Sequence, residues 1–278
     1  MSTMQLEGMT ALVSGASQGI GYATARLLAE DGARVVMMSR KAAPLEEARD
    51  RLRSEVPGAL IETCAGNATS EADVRAALDQ AHRLAGRLDI VVSVVGEPVF
   101  KPLLMRELEE VRREFDINFA SAFLAVRHAA PLMKAGGSII CVSSAAAVQA
   151  GWGLSIYGSA KAAVERFVRA AAFELGGAGI RVNAVRPGLT LPPERETEFA
   201  QMVREYVSET PLRRVGRPED VARAVRFLAG PDAGWVTGQT LSADGGLEQG
   251  KAPDPMDDFF GKDAMDEIRA GRVLQTNT

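Results

Sequence analysis

Ser14-Gly15-Ala16-Ser17-Gln18-Gly19-Ile20-Gly21, near the start of this 278-residue chain, is the segment from which its architecture follows. An apolar run over 11–14 comes before it, and a helical pattern over 19–31 begins within it. Its glycines, spaced Gly-x3-Gly-x-Gly, permit a tight turn and let backbone N–H groups approach a diphosphate at a helix N-terminus. Such a loop can also be a plain turn, but the strand before it and the helix after it favour nucleotide binding.

Seven strand-like runs alternate with helical patterns along the chain. The runs are apolar almost throughout, which is typical of parallel strands covered on both faces. The predicted strands are 11–14, 34–38, 60–64, 88–95, 138–143, 180–185 and 239–242, and the predicted helices lie near 19–31, 44–55, 70–85, 107–134, 157–176 and 218–229. We therefore expect an α/β fold, a single Rossmann-like doubly wound domain over 1–246 with a seven-stranded, mainly parallel sheet and helices on both faces.

Two segments depart from this alternation. Pro192 and Pro193, followed by a polar stretch, predict a substrate loop at about 189–212 with a helix of its own. Residues 247–278 carry seven acids and four bases and form an acidic C-terminal extension.

The extension also has apolar residues. Met265 and Ile268 have the i,i+3 spacing of one helix face. We expect the extension to dock on its own or a neighbouring subunit near the substrate loop, and a frayed terminus is the alternative. The other apolar residues of the extension are Met256, Phe259, Phe260, Val273 and Leu274.

Composition excludes several classes of protein. The net charge is -4, so no basic surplus is present to bind a nucleic acid. No apolar run has the length of a membrane span, and we expect a cytoplasmic protein. Cys64 and Cys141 have apolar neighbours and are predicted to be buried free thiols in a reducing compartment. His82 and His128 do not form a cluster with metal-ligand spacing, so no metal site is expected.

The end of the second strand bears on the choice of dinucleotide. Strand 2 of a dinucleotide-binding fold faces the adenosine ribose with an acid for NAD or a cation for the 2'-phosphate of NADP. Ser39 stands where the acid would be, and Arg40 follows it. A guanidinium suits a phosphate dianion, so NADP(H) is predicted and NAD(H) is less favoured. Arg40 and Lys41 could also simply solvate a loop.

A tyrosine and a lysine share one face of a predicted helix. Tyr157 and Lys161 are four residues apart, and an ammonium close to a phenol, together with a nicotinamide cation, favours the phenolate. Ser144 follows an apolar strand, at the edge of a parallel sheet where ligands bind. It has no Gly-x-Ser-x-Gly setting, so a hydrolase nucleophile is not indicated.

These motifs together resemble the short-chain dehydrogenase/reductase family, in its shorter type. The resemblance covers about 6–246 and includes Asn118 in Phe115-Asp116-Ile117-Asn118 and the stretches Asn183-Ala184-Val185-Arg186-Pro187-Gly188, Thr237-Gly238-Gln239 and Asp244-Gly245-Gly246. One departure is Ser93-Val94-Val95-Gly96, where the family usually has Asn-Asn-Ala-Gly. Gly96 is kept, whereas two asparagine hydrogen bonds must be replaced or omitted.

The resemblance implies roles for named residues. Tyr157 would be the general acid in reduction and the base in oxidation, and Lys161 would bind the nicotinamide ribose and lower the pKa of the tyrosine. Ser144 would hold the substrate oxygen, and Asn118 would position a water in a proton relay or, alternatively, only cap helix backbone. The implied cofactor-binding residues are Gly15, Ser17, Gln18, Gly19, Ile20, Gly21, Ser39, Arg40, Asn67, Ala68, Gly96, Tyr157, Lys161, Pro187, Gly188 and Thr190.

The implied activity is NADP(H)-dependent interconversion of a small-molecule carbonyl and a secondary alcohol by hydride transfer. A 3-oxoacyl-[acyl-carrier-protein] reductase is an alternative, which a basic patch formed by Arg213, Arg214 and Arg217 would support. A non-catalytic NADP-sensing protein is another, and the intact Ser144, Tyr157 and Lys161 count against it. The resemblance also implies a homotetramer or homodimer, formed through the helices at 107–134 and 157–176.

Overall fold

The computed structural model describes residues 4–250 and 262–272. The chain divides into two units, Met1–Glu248 and Gln249–Thr278. No helix in these described ranges is both long and apolar enough to span a membrane.

A sheet of seven parallel strands forms the centre of the first unit. Its order is β3-β2-β1-β4-β5-β6-β7, so the chain runs outward from β1 in one direction and then, from β4, in the other. The strands are β1 Thr10–Ser14, β2 Arg34–Ser39, β3 Ile61–Ala65, β4 Leu88–Ser93, β5 Met133–Val142, β6 Arg181–Pro187 and β7 Thr240–Ala243. The predicted doubly wound fold is confirmed.

Helices cover both faces of this sheet. The α-helices are α1 Gly19–Glu30, α2 Ala42–Glu55, α3 Glu71–Ala85, α4 Leu108–Phe115, α5 Ser121–Ala129, α6 Ser155–Leu175, α7 Ala200–Glu209 and α8 Pro218–Ala229. Short 3-10 turns are at Leu103–Met105, Ala130–Leu132, Ala145–Ala147, Gly176–Ala178, Pro193–Arg195, Pro231–Ala233 and Leu247–Gln249. Helices α1, α2 and α8 pack on one face, and α3, α5 and α6 pack on the other.

Each face of the sheet has its own hydrophobic core, because successive side chains of a strand point to opposite faces. In β1, Ala11 and Val13 join the core under α1, whereas Leu12 joins the core under α3. All residues of β1 are buried, because this strand has a neighbour on each side and helices on each face.

Several predicted boundaries are wrong. The single helix predicted at 107–134 is instead α4, a π-helical turn Asp116–Ala120 and α5. The strand predicted at 138–143 begins earlier, at Met133, and the strand predicted at 88–95 ends at Ser93. Cys141 is buried as predicted, but Cys64 is only partly buried because β3 is at the edge of the sheet. Both cysteines are free thiols.

The predicted loop after β6 has a helix of its own, α7. The second unit contains helix α9, Lys262–Arg269, so Met265 and Ile268 are helical as predicted. Met256, Phe259, Phe260, Val273 and Leu274 lie outside the described residues, and the docking of the extension stays a prediction.

Candidate active site

The glycine turn leaves the N-terminus of α1 open to an anion. Gln18 precedes the helix and gives no side-chain cap, and the first turn of the helix has no acidic residue. The first N–H groups of a helix have no partner within it and carry partial positive charge. A Cβ on Gly21 would collide with the carbonyl oxygen of Gly15, so only glycine allows the turn to pack this closely on the helix. These features fit a diphosphate.

A cleft of about 350 Å³ runs from this turn along the carboxyl edge of the sheet. It brings together most of the residues predicted to bind the cofactor, which are Gly15, Ser17, Gln18, Gly19, Ile20, Gly21, Ser39, Arg40, Asn67, Ala68 and Gly96. Pro187, Gly188, Thr190, Tyr157 and Lys161 are not among its lining residues. The loops that follow β1, β2, β3 and β4 therefore contribute to one cleft, as ligand sites at the switch point of such sheets do.

Residues after β2 form one end of the cleft. The hydroxyls of Ser39 and Ser17 lie 3.1 Å apart and share a hydrogen bond, which links this end to the glycine turn. Arg40 is exposed and forms no ion pair with any residue that the structure describes. An unpaired guanidinium in this place fits a phosphate group.

Asn67 is held by the first turn of α3, the helix that follows it. Its backbone N–H donates to Asp73 Oδ2 at 2.8 Å, and its Oδ1 accepts from the Thr69 N–H at 3.1 Å. Asp73 lies in the first turn of α3, where Ser70 caps the helix. The carboxamide nitrogen of Asn67 thus stays available to a ligand.

Lys161 is a buried cation on α6. Its ammonium donates to the Val142 carbonyl at 2.9 Å and to the Val95 carbonyl at 3.4 Å. Burial lowers the pKa of Lys161 from 10.5 to about 8. A Cβ on Gly96 would lie 2.6 Å from the Nζ atom of Lys161, so glycine at 96 is what lets the lysine reach this position.

Tyr157 and Ser144 meet at the start of α6. Burial raises the pKa of the Tyr157 phenol above its ordinary value of 10.0, a hydrogen bond with Ser144 lowers it, and the charge of Tyr206 raises it. Ser144 Oγ also accepts from the Ala146 N–H at 3.2 Å. The Lys161 Nζ atom lies 5.9 Å from the centre of the Tyr157 ring. The lowering of this pKa by Lys161 that the resemblance implies is not found in the protein alone, where the pKa of Tyr157 is raised.

Asn118 is buried inside the π-helical turn. Its Oδ1 accepts from the Glu97 N–H at 2.9 Å, and its Nδ2 donates to the carbonyls of Glu97 at 3.2 Å and Glu114 at 2.9 Å. The side chain therefore fixes the backbone of the loop after β4. A water bound by Asn118 stays a prediction.

Ser93 and Val94 stand where the family usually has two asparagines, and hydrogen bonds of Ser14 connect this part of the chain to the start of the glycine turn. Ser14 Oγ accepts from the Val94 N–H at 3.3 Å and donates to the Val92 carbonyl at 3.4 Å. The serine hydroxyl at the end of β1 thereby joins β1 to β4.

Pro187, Gly188 and Thr190 follow β6. The Gly188 N–H donates to the Ala243 carbonyl at 3.3 Å, and Thr190 Oγ1 donates to the Gly188 carbonyl at 3.1 Å. Thr190 forms a bridge with Gly216 that closes the base of the substrate loop. Thr190 also lines a second cleft, of about 1070 Å³, which residues 17–20 of the glycine turn line as well.

Two buried ion pairs support this region and were not predicted. Arg106 pairs with Glu114 and also donates to the carbonyls of Val99 at 2.5 Å and Gly153 at 3.1 Å, so it joins the two loops beside the site. Arg186 of β6 pairs with Glu165, one turn after Lys161, and Ser143 donates to that carboxylate at 2.7 Å. Arg186 lies within a motif recognised in the sequence, but sequence spacing gives no sign of its partner.

Comparisons with known proteins agree with this geometry. A sequence profile described as enoyl-(acyl carrier protein) reductase matches residues 15–248. The 7alpha-hydroxysteroid dehydrogenase of Escherichia coli (strain K12) is 34% identical over 246 residues, which are 87% of this chain and 95% of that protein.

Two solved structures have the same fold. A 7alpha-hydroxysteroid dehydrogenase complexed with NADH and 7-oxo glycochenodeoxycholic acid has a TM-score of 0.82 at 34% identity, over 88% of this chain and 96% of that chain. An NADPH-bound short chain oxidoreductase from Pseudomonas aeruginosa PAO1, with an atypical catalytic center, has a TM-score of 0.80 at 31% identity, over 86% and 96%. The chain belongs to the short-chain dehydrogenase/reductase family and is an NAD(P)-dependent oxidoreductase.

Proposed function

We propose that this enzyme interconverts a small-molecule carbonyl and a secondary alcohol with NADP(H), and that Tyr157 is the general acid and base. The observation that carries this proposal is the grouping of Tyr157, Ser144 and Lys161 at the start of α6, beside Gly96 in the loop after β4. NADP(H), when bound, supplies or accepts the hydride.

The protein's own groups perform the proton chemistry. Ser144 donates a hydrogen bond to the substrate oxygen, and Tyr157 gives that oxygen a proton during reduction. The raised pKa of Tyr157 keeps the phenol protonated at neutral pH, which suits an acid. Lys161 has three N–H donors, of which two bind the carbonyls of Val142 and Val95, so one remains for a ribose hydroxyl.

Tyr157→Phe tests the assignment of the acid. We expect the variant to bind NADPH as the wild type does and to lose about a hundred- to ten-thousandfold in turnover, because the proton donor is removed and the ring is kept. NADPH absorbance with a panel of ketones measures turnover, and cofactor fluorescence measures binding. Retention of more than about a tenth of the activity would show that another group is the acid.

Arg40 is the proposed 2'-phosphate ligand. We expect kcat/KM to favour NADPH over NADH by about ten- to a hundredfold, as one or two charge-assisted hydrogen bonds provide. Ser39→Asp combined with Arg40→Ala should reverse the preference, while Lys41→Ala, which removes the neighbouring cation, should change it much less. Equal use of the two cofactors by the wild type would contradict the assignment.

The two alternative functions have less support. Of the three arginines proposed as a carrier-protein patch, Arg214 pairs with Asp220 and Arg217 pairs with Glu196, and Arg213 donates to the Ser208 carbonyl. Two of the three charges are thus already paired with carboxylates, which weakens the patch as a site for an acidic carrier protein. A non-catalytic sensor would not need Tyr157 and Ser144 in hydrogen-bond contact. We further propose a cytoplasmic location and a homotetramer or homodimer, and gel filtration of the purified protein tests the oligomeric state.

A further inference from the structure

The cleft along the sheet edge has opposite charges in two places. Among its lining residues, all of them described, Arg40 is the one cation and Glu97 is the one carboxylate. Neither side chain forms an ion pair with another described residue. Both charges are therefore available to a ligand that occupies the cleft.

The sheet order separates the two charges. Arg40 follows β2 and Glu97 follows the end of β4, and β1 lies between these two strands. Neighbouring strands are about 4.8 Å apart, so the two loops begin about 10 Å apart on opposite sides of the glycine turn. A ligand that spans the cleft meets the cation on one side of its centre and the carboxylate on the other.

The Glu97 backbone is held in a fixed position. Asn118, which is buried, accepts from its N–H at 2.9 Å and donates to its carbonyl at 3.2 Å. The preceding residue, Gly96, packs against the Nζ atom of Lys161. The carboxylate thus projects from a rigid backbone at the Lys161 end of the cleft.

We propose that Glu97 binds the positive pyridinium ring of the oxidised cofactor and makes the site hold NADP⁺ more tightly than NADPH. This inference rests on the proposed function, in which NADP(H) lies in the cleft with its 2'-phosphate at Arg40 and its nicotinamide toward Lys161. NADP⁺ then has its negative phosphate and its positive ring where the cleft has the complementary charges. Reduction removes only the positive charge of the ring, so a carboxylate beside it distinguishes the two forms.

Separate binding measurements for the two cofactors test this proposal. We expect Glu97→Gln to weaken NADP⁺ binding by about three- to tenfold, as a partly solvated charge pair does, and to leave the Kd of NADPH within about twofold. Glu97→Lys should weaken NADP⁺ binding further. Raising the salt concentration should reduce the preference of the wild type for NADP⁺, and it should have little effect in Glu97→Gln. A tenfold change in the ratio of the two Kd values shifts the potential of the bound two-electron couple by about 30 mV.

The matched control is Glu109→Gln, which removes an exposed carboxylate on α4 that pairs with Arg112 at 3.1 Å. It should change neither Kd. Equal changes in both Kd values, or no change in either, with Glu97→Gln and Glu97→Lys would overturn the inference and leave the proposed function intact. A wild type that binds neither NADP⁺ nor NADPH would overturn the proposed function itself. Melting curves verify that each variant is folded.

Discussion

Lys161 is a cation almost fully buried among backbone carbonyls, and the protein pays in stability for keeping it there. The pKa of this lysine is about 8 in the folded chain and 10.5 in the unfolded chain. At pH 7 both states are protonated, so the folded state carries the full cost of burying the ammonium, about 3 kcal/mol. Between pH 8 and 10.5 the folded state releases its proton first, and this cost disappears as the pH rises.

Lys161→Met should therefore make the protein more stable at neutral pH. The lost hydrogen bonds to Val142 and Val95 together cost about 1–2 kcal/mol, so we expect a net gain of about 1–2 kcal/mol at pH 7 that shrinks toward pH 10. Urea unfolding at both pH values measures the gain, with the exposed Lys134→Met as the control. A variant no more stable than the wild type at pH 7 would show that this burial is not costly.

The environment of Tyr157 sets the pKa of its phenol, and this pKa determines how the rate of each reaction direction depends on pH. Because burial raises the pKa of its phenol, the phenolate that alcohol oxidation requires is scarce at neutral pH. We expect the rate of alcohol oxidation to rise by close to tenfold per pH unit below that pKa, about the rate at which the ionised fraction grows. Carbonyl reduction uses the protonated phenol and should be nearly constant between pH 6 and 7. Initial rates over pH 6–10 test both, and a flat oxidation profile would contradict the assignment.

At the level of elements, one arginine joins two loops. Arg106 contacts the loop after β4 through the Val99 carbonyl and the loop before α6 through the Gly153 carbonyl, and it pairs with Glu114 of α4. The side chains of Arg106 and Glu114 are each 2% exposed. A pair so buried is costly to break from one side, because the remaining charge has no compensation.

Arg106→Met should lower the free energy of unfolding by about 3–5 kcal/mol. Adding Glu114→Leu should recover part of this loss, because the second change removes the uncompensated carboxylate. Arg106→Lys keeps the charge but cannot reach both carbonyls, so we expect an intermediate stability. Denaturant unfolding of the wild type, Arg106→Met, Glu114→Leu and the double variant measures the coupling between the two side chains. Strictly additive losses would show that the two side chains act independently.

The helix predicted at 107–134 shows a feature that sequence patterns do not predict, the π-helical turn between α4 and α5. Helical periodicity is preserved through Asp116–Ala120, so the sequence contains no stop signal there, and the wider π-turn is visible only in the backbone. The glycine turn was predictable because tight turns near a phosphate require glycine. By contrast, the partners of Arg106, Arg186 and Glu97 lie in other elements or loops, at spacings that no helix or strand period predicts.

At the level of the whole first unit, Arg186 forms ion pairs with two carboxylates from different parts of the chain. It lies on β6 and pairs with Glu165 of α6 and with Glu248, the last residue of the unit. Burial of Glu248 opposes its ionisation, but hydrogen bonds with Ser242 and Arg186 outweigh this and hold the pKa of its carboxyl below 4.5. Because the folded pKa is lower, the ionised carboxylate stabilises the fold above pH 4.5, and this contribution is lost as the pH falls through the folded pKa.

Glu248→Gln should therefore flatten the acid side of the stability profile. We expect the variant to be about 1 kcal/mol less stable than the wild type at pH 7 and nearly equal to it near pH 3. Thermal melts across pH 3–7 measure the difference, and Glu109→Gln is an exposed control. A constant difference at every pH would show that the effect does not come from ionisation of Glu248.

The central place of β1 has a consequence for synthesis on the ribosome. Its neighbour β2 is complete at Ser39, but its other neighbour, β4, is complete only at Ser93. At 5–20 residues per second, translation of the residues between takes about 3 to 11 s. Throughout that interval one edge of a strand that is entirely buried in the folded protein has unpaired N–H and C=O groups. No hairpin can cover this edge, because every pairing among the seven described strands is parallel. The nascent chain is thus most prone to aggregate early in translation, when a chaperone that shields this strand has its greatest effect.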